Sequence, residues 1–526
     1  MMKPAFLISF ILTLFFFNER TIAQESLKDS PHEIGYFIGK LNGTDIYSRG
    51  NYLFPKNTYD PFALVTLEGK SIKGIYSYSG RKENYHNWFI HQNQLYSISS
   101  LKTTDPGYTL QLKEYDKNFH IIDSTILFHD AVEQYKHVHI SFKQDGNSIA
   151  VVGMSGMGEG LGFVAMLDLD KKELLSKSFS IDGLNKYICV DFTWNKQHKL
   201  IAVFEGRENM YPGDRTLKET ELWKTYLMHL SATETVFTTI PNEMDDMAVR
   251  SFKLLKVNEQ DVIIGGLTFI KKKTGKHEQL AMHGYYKSLL EFDISGFRDN
   301  QFLEAKTVFD PSLWINPQLN DFEDGSYYKL SNLFLKEIRF LDNDLLFVSE
   351  TQKVQTGQAT NSSMPSDSHS VTNNFAAYIM DEDIIISRIS EDSVNWTTKP
   401  RFIYERPPAL THDESYHLTH PVYFLPELTS DKLTLYYSDD HSIFTDEGKL
   451  IEEYPVFGSS NSLVVKFEVN LSTGKSQTTA AHGDFKSRKY EEVNASGSYE
   501  DETGIKLLTC SHKVIKFKYK VTDVTK

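Results

Sequence analysis

Several segments of strand length carry histidine and carboxylate residues at positions that could act on a ligand. His137 and His139 lie two residues apart, and Asp191 and Glu337 occur in segments of similar appearance. Side chains alternate between the two faces of a β-strand, so the two histidines share one face. Imidazoles and carboxylates that converge in a channel could hold a metal ion, polarise a sugar or exchange a proton with a substrate. The alternative is that these groups hydrogen-bond to one another or to water, as buried polar groups generally do.

A second set of candidates is basic and aromatic. Arg207 and Tyr211 belong to a charged insertion, in which the guanidinium could pair with a carboxylate or sulfate and the phenol could stack on a ligand. The alternative is an ordinary surface loop. Two imidazoles are too few to define a zinc site, so we assign no metal, no cofactor and no catalytic residue. The predicted ligand-binding residues are His86, His137, His139, Asp191, Arg207, Tyr211, Glu337 and His417.

The elements that would position these residues are short strands in a repeating unit. Each of seven segments begins with a polar or turn-forming pair and continues as an apolar, β-branched or aromatic run of strand length. A second strand precedes most of these runs, and a third and a fourth follow. Strands so close in sequence pair antiparallel through tight turns. The seven segments are residues 93–100, 147–154, 198–205, 260–267, 343–350, 431–438 and 503–510.

Four-stranded units repeated in this way resemble the blades of the β-propeller superfamily, over roughly residues 60–526. The resemblance implies an all-β propeller of four-stranded antiparallel blades, with seven blades as the predicted number and six or eight as alternatives. The C-terminal unit lacks a fourth strand, and strands at Phe62–Leu67 and Ser71–Ser79 are spare. We therefore predict one domain over residues 24–526, closed by an N-terminal strand at the outer edge of the C-terminal blade. A pair of β-sandwiches is the competing architecture.

Long insertions occur between the second and third strands of several units. They cover Arg207–Glu221, Thr351–Asn374 and Asp439–Ser460. In a four-stranded antiparallel blade, this connection lies at the end where the chain enters the innermost strand. The insertions are therefore predicted to surround one mouth of the central channel, which is commonly the binding face of a repeat protein. Neutral drift in loop length is the alternative, because longer loops cost little.

The N-terminus predicts export. Lys3 precedes an apolar run from Ala5 to Phe17, and Thr21-Ile22-Ala23 provides small residues before a cleavage point. A membrane anchor is the alternative, but this run would span only about 20 Å as a helix, less than a bilayer core. We predict a signal peptide at residues 1–23, no transmembrane segment after its removal, and a periplasmic or secreted protein.

Composition narrows the classes of partner. The 526 residues include 70 Asp and Glu against 56 Lys and Arg, a formal charge of −14, which disfavours a general nucleic-acid binder. Cys189 and Cys510 are the only cysteines, so metal sites built on cysteine are excluded, and we interpret both as small buried side chains rather than a disulfide. Motifs for phosphate-binding loops, zinc proteases, EF-hands and serine hydrolases do not occur.

The favoured function is an exported binding or interaction module that presents its loop-rich face to a saccharide, peptide or protein. The alternative is a carbohydrate-active enzyme such as a polysaccharide lyase. Some ulvan lyases are similar in being secreted propellers with His, Tyr and Arg near the channel, and the same residue types occur here at His86, His137, His139, Tyr211 and Arg207. A scaffold with an inert channel is a third possibility, since propellers serve many functions.

Overall fold

The computed structural model describes most of the chain between residues 33 and 524. The described residues are 33–50, 63–68, 71–77, 83–101, 107–131, 135, 138–155, 160–181, 187–206, 225–240, 247–274, 277–304, 333–358, 375–400, 423–426, 428–429, 431–440, 445, 462–481, 492–493, 495, 497–513 and 516–524. The predicted signal peptide lies outside these residues.

The described residues form eight antiparallel sheets, each built from strands that are consecutive in the chain, and we number the sheets in chain order. The first four sheets contain β1 (Glu33–Leu41), β2 (Thr44–Gly50), β3 (Ala63–Glu68) and β4 (Ser71–Ser77); β5 (Glu83–His91), β6 (Gln94–Leu101), β7 (Tyr108–Tyr115) and β8 (Ile121–Asp130); β9 (His139–Asp145), β10 (Ser148–Met154), β11 (Leu161–Asp168) and β12 (Leu174–Ser180); β13 (Tyr187–Trp194), β14 (Leu200–Gly206), β15 (Thr225–Leu230) and β16 (Thr235–Thr239).

The last four sheets follow the same plan with local departures. They contain β17 (Met247–Lys256), β18 (Asp261–Thr274), β19 (His277–Glu291) and β20 (Ile294–Glu304); β21 (Leu333–Leu341), β22 (Asp344–Gln358), β23 (Phe375–Ile389) and β24 (Val394–Thr398); β25 (Lys432–Asp440), β26 (Ser462–Asn470) and β27 (Ser476–Ala480); β28 (Glu492–Val493), β29 (Tyr499–Asp501), β30 (Gly504–Lys513) and β31 (Lys516–Val524). In the seventh sheet, a single bridge from Phe424 to Tyr436 occupies the inner edge of β25. In the eighth, β31 lies on one edge of β30, and β28 and β29 lie on the other.

The apolar runs are buried on both faces, which explains why they lack a polar side. In β10, Ile149 and Val151 pack against the second sheet, whereas Ala150 and Val152 pack against the fourth. A hydrophobic cluster of this kind lies between every consecutive pair of the eight sheets. A small sheet cannot bury both faces alone, so stacking on neighbours provides its core. The architecture is a β-propeller, as the repeat predicted.

The first sheet was not predicted as a unit of its own. The N-terminal group β1–β4 adds a sheet to the seven expected units, because β3 pairs with β2 and β4 pairs with β3, rather than either pairing with the C-terminal strands. The turn between β1 and β2 is Asn42-Gly43, and both residues have positive φ, 52° and 79°. Such a two-residue turn suits an antiparallel hairpin, so this segment forms a sheet locally.

Side chains, rather than shared strands, join the first and eighth sheets in the described residues. Lys40 Nζ lies 2.6 Å from Asp501 Oδ2, and the Tyr499 hydroxyl donates a 2.8 Å hydrogen bond to Asp45 Oδ2. The ring of Phe37 stacks on that of Tyr499 with 3.8 Å between centroids. These contacts bring the two ends of the series of sheets together, which differs from the predicted closure by a shared sheet.

Two strand pairs are longer than predicted. β22 continues to Gln358 and β23 begins at Phe375, so part of the predicted insertion Thr351–Asn374 is strand. β18 and β19 likewise pair as far as Thr274 and His277. Both hairpins extend past the inner strand beside them. The inner strand β17 pairs with β18 only as far as Ile270, and the inner strand β21 pairs with β22 only as far as Thr351. The hairpins therefore lengthen the end of the ring at which the predicted loops emerge.

Candidate functional site

The first strands of neighbouring sheets lie next to one another and carry the polar residues of interest. β13 contacts both β9 and β17, and β17 contacts β21. Three of these strands contain a β-bulge, between Cys189 and Asp191 in β13, between Arg250 and Lys253 in β17, and between Leu335 and Glu337 in β21. A bulge re-aims the side chains that follow it. The bulges therefore place Asp191, Lys253 and Glu337 at matching positions on successive inner strands.

Asp191 is the best-satisfied of the predicted site residues. Its side chain is buried, Lys143 Nζ lies 2.5 Å from Oδ1, and the Leu254 N–H donates to Oδ2 at 2.8 Å. The N–H of Phe192 also donates to Oδ1, at 3.0 Å. Burial alone would raise the pKa of Asp191, but the charges of Lys143 and Lys253 outweigh burial and hold the pKa below its usual range. Asp191 is thus a carboxylate that fastens three adjacent sheets.

Lys253 lies in the middle of this arrangement. Burial lowers the pKa of its ammonium. The carboxylates of Asp191 and Glu337 act to raise that pKa, and the ammonium groups of Lys143 and Lys336 act to lower it further. The charges that act on Lys253 thus come from the third, fourth and sixth sheets.

The sixth sheet contributes two ion pairs. Lys336, the bulged residue, lies 3.4 Å from Glu350 Oε2, and both side chains are almost completely buried. Glu337 receives hydrogen bonds from Arg339 Nε at 3.1 Å and from Nη2 at 3.3 Å. Arg339 also donates to the carbonyl oxygens of residues 425 and 426 in the seventh sheet. We call Lys143, Asp191, Lys253, Lys336, Glu337, Arg339 and Glu350 the central charge cluster.

Buried Tyr423 places the seventh sheet beside this cluster. Burial, and then the charges of Glu337 and Glu350, raise the pKa of its phenol, so it is protonated at neutral pH. Cys189 lies on β13 beside Asp191 as a half-buried free thiol, and burial raises its pKa. A protonated thiol is a poor nucleophile, so Cys189 fits the packing role predicted for it.

The two described histidines of the predicted set lie on other inner strands. His86 Nε2 lies 2.8 Å from Ser100 Oγ of the adjacent strand β6. His139 pairs opposite Met154 and, by strand alternation, shares a face of β9 with Lys143. The structure thus brings Asp191 and Glu337 together around Lys253, and places His86 in a separate contact within the second sheet. His137, Arg207, Tyr211 and His417 lie outside the described residues.

The second strands that lead into the three longest connections share a feature that the sequence interpretation missed. Each carries a buried carboxylate, either one residue before its end or where it leaves its inner partner strand: Glu205 on β14, Glu350 on β22 and Asp439 on β25 are 3%, 0% and 0% exposed. Glu205 Oε1 accepts a 2.6 Å hydrogen bond from the N–H of Ser251 in the next sheet. The acidic residue at the end of each apolar run was the available signal. The contact of Glu205 with Ser251 holds β14 to β17, and the contact of Glu350 with Lys336 holds β22 to β21.

Sequence reasoning also missed Lys143, Lys253 and Lys336. The candidate set was built from histidine, acidic residues and one insertion, whereas these lysines look like exposed charges in a strand. Among the described residues, no group of three or more His, Cys, Asp or Glu side chains is placed to hold a metal ion. No helix that could cross a membrane occurs in the described part of the chain.

Comparison with known proteins identifies no family: no family model and no curated protein matches the chain. Similar solved structures include the WD40 domain of SCAP from fission yeast, with 8% identity over 95% of this chain and 97% of that one and a TM-score of 0.37. The β-propeller domain of the Trilobed protease from Pyrococcus furiosus has 10% identity over 71% of this chain and 98% of that one, with a TM-score of 0.29.

A prolyl endopeptidase shares 10% identity over 82% of this chain, with a TM-score of 0.28, and the chain spans only 55% of its length. Likenesses at this level carry no argument about function. The function has to be argued from the site itself.

Proposed function

We propose that this protein is an exported binding or interaction module that recognises a saccharide, peptide or protein at the loop-rich end of its propeller. The observation that carries the proposal is the set of buried carboxylates Glu205, Glu350 and Asp439 on the second strands that lead into the long connections. Glu205 and Glu350 hold their strands to neighbouring strands, whereas the connections that follow differ in length and composition. Rigid sheets that carry dissimilar loops are typical of recognition surfaces.

The topology supports a common face for these loops. Within each sheet the second and third strands are antiparallel, and the connections 207–224, 359–374 and 441–461 all follow second strands. The inner strands β13, β17 and β21 lie side by side, and Arg339 of β21 contacts the seventh sheet, so the connections leave the same end of the ring. A ligand that spans the channel mouth could touch several of them at once.

The proposed location follows from the N-terminal sequence. Lys3, the apolar run Ala5–Phe17 and the small residues before Gln24 have the order of a cleaved signal. Expression of the full chain, followed by fractionation and N-terminal sequencing, tests this part. A mature N-terminus at Gln24 in the periplasm or medium supports it, and an intact N-terminus in the cytoplasm contradicts it.

Loop replacement tests the recognition role. Each of the connections 207–224, 359–374 and 441–461 is replaced by a short Gly-Ser linker, and binding is measured to arrays of plant and algal polysaccharides and peptides. The control replaces the β15–β16 turn, residues 231–234, which lies at the opposite end of the fourth sheet from the connection 207–224. Binding that the control retains and the replacements lose supports the proposal, and binding that survives all three replacements contradicts it.

The same array distinguishes the alternative lyase function. A lyase produces unsaturated uronates, which absorb in the ultraviolet. Turnover of any uronate polymer would replace the binding-module proposal with an enzymatic one.

A further inference from the structure

The charges of the central cluster do not balance within the described residues. Lys143, Lys336 and Arg339 each have a carboxylate oxygen within 4.0 Å, on Asp191, Glu350 and Glu337. Lys253 has no carboxylate within that distance in the described part of the chain, although it is only partly exposed. A desolvated ammonium without a counter-ion is costly, so such a position favours an incoming anion.

We propose that Lys253 forms the centre of an oxyanion-binding subsite in the propeller channel, which takes a carboxylate, sulfate or phosphate group of a ligand. The proposal goes beyond recognition by the loops. It concerns the inner strands alone, so it can be wrong while the proposed recognition by the loops is right.

The carboxylates around Lys253 are committed to other donors, which leaves its ammonium available. Asp191 accepts from Lys143 and from two backbone N–H groups. Glu337 accepts two hydrogen bonds from Arg339. Moving either carboxylate toward Lys253 would break contacts that join neighbouring sheets. An anion from solution can supply the missing charge without that rearrangement.

The neighbouring cations support an anion rather than a second cation. Lys143 and Lys336 both act on Lys253 by repulsion, and the Lys143 side chain is 40% exposed. Lys143 can therefore add a second contact to a bound oxyanion at the exposed side of Asp191. Ammonium groups bind phosphate and sulfate oxygens as point charges, so Lys253 and Lys143 need no fixed fork geometry for this purpose.

Anion binding at this position should be linked to proton uptake. Burial and the repulsion from Lys143 and Lys336 lower the pKa of Lys253, against the opposing effect of Asp191 and Glu337. A bound anion raises the pKa of a neighbouring ammonium. Affinity should therefore fall as the pH rises, and binding heats should depend on the ionisation enthalpy of the buffer.

Titration calorimetry with sodium sulfate and with sodium glucuronate, at ionic strength held constant with chloride, tests the subsite. We expect Lys253→Met to weaken binding at least about tenfold, since it removes a partly desolvated charge contact. Lys253→Arg should retain binding. The matched control is Lys256→Met on the same strand, because Lys256 is already paired with Asp145 and Glu259. The anion that binds more tightly identifies the preferred group.

A measurement on the unaltered protein covers the case in which Lys253→Met fails to fold. Acetylation with a water-soluble reagent, read by mass spectrometry, should show that saturating sulfate or glucuronate protects Lys253 and leaves Lys256 unchanged. Two results would overturn the proposal: equal anion affinity in Lys253→Met and the unaltered protein, or no protection of Lys253 by either anion.

Discussion

Removing the Tyr499 side chain should open the ring at the contact between the first and eighth sheets. Tyr499 stacks on Phe37 and donates a hydrogen bond to the carboxylate of Asp45. The stack contributes about 1 kcal/mol, and a hydrogen bond to a charged acceptor about 1.5 kcal/mol when partly exposed. Tyr499→Ala should therefore lower the free energy of unfolding by about 2 kcal/mol, allowing for solvent screening of the half-exposed hydrogen bond.

Urea denaturation followed by circular dichroism gives that loss, and hydrogen exchange with mass spectrometry locates it. We expect faster exchange in peptides from β1–β4 and β28–β31, with the third to fifth sheets unchanged. Tyr499→Phe, which keeps the ring, should recover about half of the loss. Phe340→Ala is the matched control, because that ring is 41% exposed. A loss for Tyr499→Ala no larger than for Phe340→Ala, with unchanged exchange in both terminal sheets, would refute closure by these contacts.

Three further perturbations test buried contacts within and between sheets. Burial lowers the pKa of His229, so the unfolded chain binds more protons than the folded chain near that pKa. The free energy of unfolding should therefore fall as the pH drops from neutral through the usual histidine pKa. His229→Gln should flatten this dependence in urea titrations at several pH values. Glu350→Gln should lower the free energy of unfolding by about 3 kcal/mol in the same assay, because it leaves Lys336 buried with a neutral partner. The double change Lys336→Met with Glu350→Leu should recover most of that free energy. Gly160→Ala should lower the melting temperature, because φ is +60° and a Cβ would lie 2.2 Å from the Ile181 carbonyl oxygen. The expected loss in the free energy of unfolding is about 2 kcal/mol. An unchanged melting temperature would contradict this backbone conformation.

Strand alternation and turn chemistry account for the parts of the fold that the sequence predicts. The run Ile149–Val152 indicates a strand buried on both faces, and the structure places it between two sheets. The first sheet was missed although Asn42-Gly43 is a strong hairpin signal between apolar segments. Its strands are interrupted by glycine and charged residues, so they resemble the seven predicted units less closely.

The candidate site was harder to predict, for a geometrical reason. A bulge inserts one residue and reverses the alternation after it, so Cys189 pairs with Phe204 while Asp191 pairs with Val203. No residue type marks these bulges in advance. The importance of Lys253 depends on contacts between sheets that are far apart in the chain, which a single strand pattern does not contain.

The polar segment 351–358 was predicted to be part of a loop and is a strand. Its Gln, Lys and Thr residues indicated a loop, but it extends β22 because β23 supplies a partner strand. Pairing can thus override a weak intrinsic preference for strand.

Small-angle X-ray scattering tests most directly whether the eight sheets surround one axis. For the monomeric chain beginning at Gln24, a closed ring predicts a radius of gyration of about 23 Å and a distance distribution with a single maximum. A radius of about 30 Å or more, or a distribution with two maxima, would show separate lobes and contradict the convergence of the inner strands on Lys253.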